Sequence, residues 1–231
     1  VRVLVLGGTR LSRQLATTLR EQGIAVISSL AGRVADPLLP PGEVRIGGFG
    51  GVPGLIEWLR SHPVDAVVDA THPFAAQMSS HAHQACSVLD VPLLGLRVPS
   101  WPPGPGRAWV GSLDEAATRV AARTFLTIGS LGLPAFAARP EWFLIRSVDR
   151  PPVLPARHEL VLDRGPFTVD GELRLLREHR IELLVTKDSG GPDAKLHAAA
   201  ELGIPVLLIA RPVLPDMPVA TTVADAVRWL L

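Results

Sequence analysis

Apolar and polar positions change period repeatedly along the chain, and each change marks a boundary between elements. Residues 1–6 form a short apolar run that breaks on Gly7-Gly8-Thr9, after which Leu11, Leu15 and Leu19 recur at helical spacing. The run predicts a buried strand and the recurrence an amphipathic helix. The same rhythm continues with strands at 25–27 and 44–46, a helix over 52–60, a strand at 66–69, a helix through Leu89 and a strand at 92–96. A tract rich in Pro and Gly then interrupts it at 99–106. Beyond the tract, Ser112 and Glu115 stand at capping-box spacing and predict a helix to about Arg123. Strands follow at 125–128, 142–146 and 159–162, then a helix over 171–179, a strand at 182–186, a helix over 193–202, a strand at 204–209 and a terminal helix over 222–231.

Strands alternating with helices predict an α/β protein with parallel sheets. The break at 99–106 divides it into two Rossmann-like domains facing across a cleft: residues 1–98, a linker at 99–106, and residues 107–231. The terminal helix is left open to either domain.

In such sheets ligands gather beyond the carboxyl ends of the strands. The turn Gly7-Gly8 at a helix N-terminus suits phosphate, because backbone N–H groups there lack partners within the helix. Asp69, Thr71 and His72 follow a strand and point toward the same crevice. A histidine before Pro73 at a strand end suits a site role, with a capped turn as the other reading. The second strand ends at Ser28-Ser29, with Arg33 beyond, where an NAD-selective fold carries an acid for the ribose. Hydroxyls plus a guanidinium suit a 2′-phosphate and hence NADP(H); a plain polar loop is the other reading. Gly47, Gly48, Gly50 and Gly51 allow close approach of backbone to a ligand, or form a lid or turn. Lys187-Asp188-Ser189-Gly190-Gly191 reads as a second ligand-facing loop or a surface loop, and Arg97 and Trp101 as flanking the cleft.

Composition narrows the chemistry. With 231 residues, 47% of them hydrophobic, and a net charge of +1, the chain offers a sizeable core and no electrostatic case for nucleic acid or membrane. No run approaches the ~20 apolar residues of a membrane span, and the first residues read as a strand and not as a signal segment, so the expected location is the cytoplasm. Cys86 is the single cysteine, which excludes an intrachain disulfide and a thiolate metal cluster. His81 and His83, two apart on a helix, face different ways, so no metal site is expected. Tyrosine is absent, which removes the Tyr/Lys proton-transfer pair of short-chain dehydrogenases. Lys187 and Lys195 are the only lysines among many arginines, a bias that reflects coding or, failing that, suits a polycarboxylate or phosphate ligand. The three-glycine dinucleotide fingerprint is not met, because Leu11 and Ser12 stand where small residues belong.

Six segments taken together, VLVLGGT at 3–9, SSLAGR at 28–33, RIGGFGG at 45–51, DAVVDATHPFA at 65–75, RVPSW at 97–101 and TKDSGG at 186–191, with LGIPVLLIARP at 202–212, resemble the precorrin-6A reductase family of cobalamin biosynthesis. The resemblance spans nearly the whole chain. It implies NADPH-dependent reduction of one carbon–carbon double bond of a carboxylate-rich tetrapyrrole. It also implies that Gly7, Gly8 and Thr9 hold the pyrophosphate, that Ser28, Ser29 and Arg33 hold the 2′-phosphate end, and that Gly47 to Gly51 close over the cofactor. Thr71, His72 and Phe74 then border the nicotinamide and macrocycle, and Arg97, Lys187, Asp188 and Ser189 lie on the substrate side. His72 positions substrate or delivers the accompanying proton. The family usually follows its first glycine loop with a small residue and Glu-Ala, where this chain has Arg10-Leu11-Ser12. A generic NADP-dependent carbonyl reductase and a non-catalytic NADPH sensor are the competing readings.

Replacing Arg33 by Ala is expected to weaken NADPH binding far more than NADH binding in a fluorescence titration; an unchanged ratio of the two affinities removes Arg33 from the 2′-phosphate site.

Overall fold

The first strand, β1 (Arg2–Leu6), sends Val3 and Val5 into one apolar layer and Leu4 and Leu6 into another, all at most 1% exposed. A strand buried on both faces must have elements on both sides, as in parallel α/β sheets. The computed structural model describes residues 1–32 and 37–231, so Arg33 lies outside the described residues. Within it, β1 is followed by α1 (Arg10–Glu21), β2 (Ala25–Leu30), β3 (Glu43–Ile46), α2 (Gly51–Ser61), β4 (Ala66–Asp69), α3 (Ala76–Leu89) and β5 (Leu93–Leu96). Next come β6 (Arg107–Val110), α4 (Leu113–Ala117), β7 (Arg123–Thr127), a 3-10 helix (Ser130–Phe136), β8 (Trp142–Ser147), β9 (His158–Leu162), α5 (Val169–Glu178), β10 (Leu183–Lys187), α6 (Ala194–Glu201) and β11 (Val206–Ile209). The chain ends with β12 (Val219–Ala220) and α7 (Val223–Leu230).

These elements form two units, each with a six-stranded parallel sheet. Unit 1 comprises Val1–Pro99 and Pro212–Leu231, with strand order β3-β2-β1-β4-β5-β12. It is the doubly wound dinucleotide-binding order, whose switch point falls between β1 and β4. Leu15, Leu19, Ala226 and Val227 of α1 and α7 cover one face, and Leu55, Leu59, Ala82 and Ala85 of α2 and α3 cover the other. Unit 2, Ser100–Arg211, has the order β9-β8-β7-β10-β11-β6 and a core around Phe125, Leu144, Leu184 and Leu208.

The second domain expected over 107–231 is thus shorter. Residues 212–231 belong to unit 1, because β12 adds to β5 with Val219 opposite Gly95, and Val227 enters the apolar layer beside α1. Unit 2 starts at Ser100, inside the expected linker, with Trp101 buried in its core and not flanking an opening. The helix expected over 112–123 is a single turn at Leu113–Ala117, capped by the Ser112 side chain. Its continuation is short because Arg123 already begins β7, paired with Trp142 of β8. No helix among the described residues is long and apolar enough to cross a membrane.

A chain ended at Arg211 is expected to lose protection selectively. Hydrogen exchange should accelerate in β5 and α1, whose apolar side chains lose β12 and α7, while β7 and β10 keep wild-type protection.

Candidate functional site

The switch point of unit 1 is assembled from three strand ends. At the end of β1, Gly7 donates its N–H to Ser29 O (2.8 Å), and a Cβ on Gly7 would stand only 3.2 Å from Leu30 Cδ2 and Ser12 Oγ. Gly8 has φ +107°, a region that only glycine enters without strain, with open space where a side chain would be. Thr9 then caps α1: its Oγ1 accepts from Ser12 N–H (3.1 Å), while Ser12 Oγ accepts from Thr9 N–H (3.1 Å). This reciprocal box gives a physical role to the Arg10-Leu11-Ser12 departure. Ser12 supplies the cap that a three-glycine fingerprint would not, and α1 has no acidic residue in its first turn. Thr9 Oγ1 also donates to Ala70 O (2.8 Å), tying the glycine turn to the end of β4.

Beneath that end lies a buried ion pair. Asp69 is fully buried, and its Oδ2 meets Arg97 Nη2, itself bonded to Ser79 Oγ (3.1 Å); Arg97 Nη1 reaches the carbonyls of Asp69 and Leu96. Asp69 Oδ1 accepts from both Thr71 N–H (3.1 Å) and Thr71 Oγ1 (2.6 Å). Arg97, expected on the substrate side, is therefore 6% exposed and holds the floor of the Thr71 turn. Above the floor, His72 is exposed, and its Nδ1 accepts from Phe74 N–H (3.2 Å). In the neutral ring this places the proton on Nε2. The half-buried Phe74 ring stands 5.7 Å from the imidazole.

Successive residues of a strand face opposite ways, so Ser28 and Ser29 do not act as a pair. Ser28 is 2% exposed, with no partner for Oγ among the described residues. Ser29 Oγ accepts from Arg45 Nη1 (2.9 Å), its cross-strand neighbour on β3. The same guanidinium donates to Gly47 O (2.9 Å) and Gly48 O (3.0 Å) and lies 3.8 Å over the Phe49 ring. Burial lowers its pKa from the usual arginine value. Arg45 thus fixes the glycine segment that Gly50, with left-handed φ +82°, turns into α2. Nothing local in RIGGFGG assigns Arg45 a role; the pairing of β3 beside β2, which sets it opposite Ser29, is the signal that does.

In unit 2 the corresponding strand end is that of β10. Lys187 and Ser189 are half-buried there, and Ser189 N–H donates to Lys187 O (2.7 Å). Asp188 is 3% exposed and faces inward: it accepts from Ser100 Oγ, Trp101 N–H (3.3 Å) and Trp109 Nε1 (3.0 Å), while its carbonyl takes Arg211 Nε (2.8 Å). Its carboxylate is committed to the frame of unit 2. Near the end of β8, Arg146 pairs with the buried Glu172 (2.6 Å) and covers the Phe167 ring (3.6 Å). Lys195 lies 5.1 Å over Trp101 nearby; burial and then the charge of Arg146 push its pKa down to about 8, against an opposing pull from Glu172.

A doubly wound parallel sheet, with a capped glycine turn at its switch point and a serine hydroxyl at the end of β2, makes unit 1 an α/β module with the strand order common among dinucleotide-binding folds. Residues 2–231 match the family described as precorrin-6x reductase CbiJ/CobK, and the chain belongs to that family. It is 53% identical to a precorrin-6A reductase of Rhodococcus erythropolis, covering 99% of this chain and 97% of the relative. Against the precorrin-6A reductase of Mycobacterium tuberculosis (strain ATCC 25618 / H37Rv) the identity is 52%, with 99% and 97% covered. A solved structure named CobK precorrin-6A reductase superposes with a TM-score of 0.94 at 42% identity, covering 100% of this chain and 96% of that one.

Replacing Arg97 by Met leaves the Asp69 carboxylate buried without its cation, so urea denaturation is expected to show a loss of about 3–5 kcal/mol, largely recovered when Asp69 is also changed to Asn. A substrate-binding arginine would instead leave stability unchanged and raise KM.

Proposed function

We propose that this chain is the NADPH-dependent oxidoreductase that converts precorrin-6A to precorrin-6B in cobalamin biosynthesis by reducing one carbon–carbon double bond of the macrocycle. The observation that carries the reading is the family match over residues 2–231, joined to a unit 1 whose switch point has the parts a dinucleotide needs.

The residues present fit that cofactor. The backbone at Gly7, Gly8 and Thr9 meets the pyrophosphate at the N-terminus of α1, where the space beside Gly8 is open and the first turn carries no opposing acid. Ser29 and Arg33 take the 2′-phosphate end, Ser28 being turned to the opposite, buried face of β2, and the backbone of Gly47, Gly48 and Gly50 lines it. Bound NADPH supplies a hydride; the protein orients it and manages the proton that must reach the neighbouring carbon. Thr71 keeps acceptor capacity on Oγ1 while donating to Asp69, which suits a carboxamide donor. In the neutral ring His72 presents Nε2–H, with Nδ1 taken by the Phe74 N–H, and orients substrate in that form; to deliver the proton it is first doubly protonated, giving up the Phe74 bond, and returns to the neutral ring afterwards. Phe74, Lys187 and Ser189 serve the macrocycle, Lys187 as a cation for a peripheral carboxylate. Arg97 and Asp188 support these groups from beneath as positioning residues.

The test is direct. Purified protein mixed with precorrin-6A and NADPH should consume NADPH absorbance as the macrocycle spectrum shifts, and parallel runs with cobalt-free and cobalt-bound substrate assign the natural form. NADPH turnover without a macrocycle change, or no turnover with either form, defeats the reading. Replacing His72 by Ala is expected to lower kcat about 100-fold while the NADPH Kd moves less than about threefold; equal losses in both would reduce His72 to a structural part of the turn.

A further inference from the structure

Arg45 has a geometry that its framework role does not exhaust. A guanidinium carries five N–H donors in a fixed plane. Three of them are engaged: both on Nη1, with Ser29 Oγ and Gly47 O, and one on Nη2, with Gly48 O. Among the described residues, Nε–H and the second Nη2–H meet no acceptor. These two donors lie along one edge of the guanidinium, the fork that matches two oxygens of a phosphate. The side chain is half-buried, so the fork is neither sealed in the interior nor loose in solvent. Its orientation is fixed from three sides, by Ser29, by the two glycine carbonyls and by the Phe49 ring.

Position adds to orientation. Arg45 stands in register with Ser29, next to the carboxyl end of β2. In this topology that strand end is where the adenosine ribose is read. Among the described residues no carboxylate pairs with Arg45, whereas Arg97 and Arg146 are each closed by one. A fixed cation with an unengaged fork at the ribose-reading position suits a dianion.

We propose that Arg45 is a specificity-determining residue for the cofactor, its Nε–H and Nη2–H edge taking the 2′-phosphate of NADPH beside Ser29. The inference rests on the NADPH reading of unit 1 and assigns a second guanidinium to that phosphate besides Arg33. It also gives the glycine segment a consequence: the residue that grips the phosphate is the one that holds Gly47 and Gly48, so binding at the ribose end firms the entry to α2.

Binding of 2′,5′-ADP, 5′-AMP, NADPH and NADH to the full chain, measured by calorimetry, tests this without any catalytic step. Wild type should prefer 2′,5′-ADP over 5′-AMP. Arg45→Gln should weaken 2′,5′-ADP and NADPH about 10- to 100-fold and move 5′-AMP and NADH less than about threefold. Arg45→Lys, which keeps the charge and loses the fork, should fall between. Equal weakening of all four ligands assigns Arg45 to the framework alone and overturns the proposal, as does no weakening of any. A wild type that does not distinguish 2′,5′-ADP from 5′-AMP overturns the NADPH reading itself and the proposal with it. Retained preference in wild type with an unmoved Arg45→Gln ratio overturns only the role of Arg45.

Discussion

A carboxylate with no access to water governs the architecture of unit 1. Asp69 closes β4 at the switch point, where the chain must turn sharply out of a sheet buried on both faces. Such a group holds its charge only if a cation and several donors surround it, and Arg97, Thr71 N–H and Thr71 Oγ1 provide them. The requirement propagates outward. Because Arg97 must reach Asp69, β5 has to pair beside β4. Because Thr71 is bound twice to one oxygen, the turn carrying His72 has one conformation. Because Thr9 donates to Ala70 O, the glycine turn is referenced to the same strand end. The polar parts of the candidate site are set by a network whose centre, Asp69 with Arg97, is buried beneath them.

Unit 2 repeats the strand order of unit 1 and makes a different use of it. Its strand β7 occupies the place of β1, but it runs into a 3-10 helix with Pro134 inside and not into a twelve-residue α-helix. A short 3-10 segment does not align enough peptide dipoles to favour an anion at its start. On β8, which takes the place of β2, Arg146 is closed by Glu172, so the position that would read a ribose is already filled by an ion pair. Equal topology with unequal strand ends is why the cofactor of the proposed function is placed on unit 1 and not on unit 2. What unit 2 offers instead is cationic: Lys187 at the end of β10, and Lys195, whose pKa burial lowers to about 8.

The strands, the parallel class and the first glycine turn were legible because apolar periodicity and glycine placement are local signals. β12 was not, since two residues, Val219-Ala220, carry no period, and their pairing with β5 depends on a chain return over more than a hundred residues. The domain division suffered for the same reason: composition marked the tract at 99–106, whereas the shorter run of Pro212, Pro215 and Pro218 after Arg211 does not tell a return to the first sheet from a surface loop. The three-glycine fingerprint is absent as expected, but the capping role of Ser12 was not legible, because a fingerprint counts small residues and not the hydrogen bonds that stand in their place. Thr71 and His72 were legible as residues at a strand end. Their dependence on Arg97 was not, because an ion pair across 28 residues leaves no trace in spacing.

The arginine bias shows why composition alone could not assign ligands. Read as a number, it suggested a polycarboxylate partner; read as donors, it separates into kinds. Arg97 and Arg146 are buried and closed by carboxylates, Arg139 is held by Glu141, and Arg211 braces Asp188. Each of these builds the frame that a strand end needs when its peptide groups turn away from the sheet. Arg45 resembles them in being fixed, yet its partners are a hydroxyl and two carbonyls, none of which cancels its charge. An arginine neutralised by a neighbouring acid belongs to the fold. One that is oriented by neutral acceptors keeps its full charge in a chosen direction, and that combination is what an anionic ligand requires of a protein.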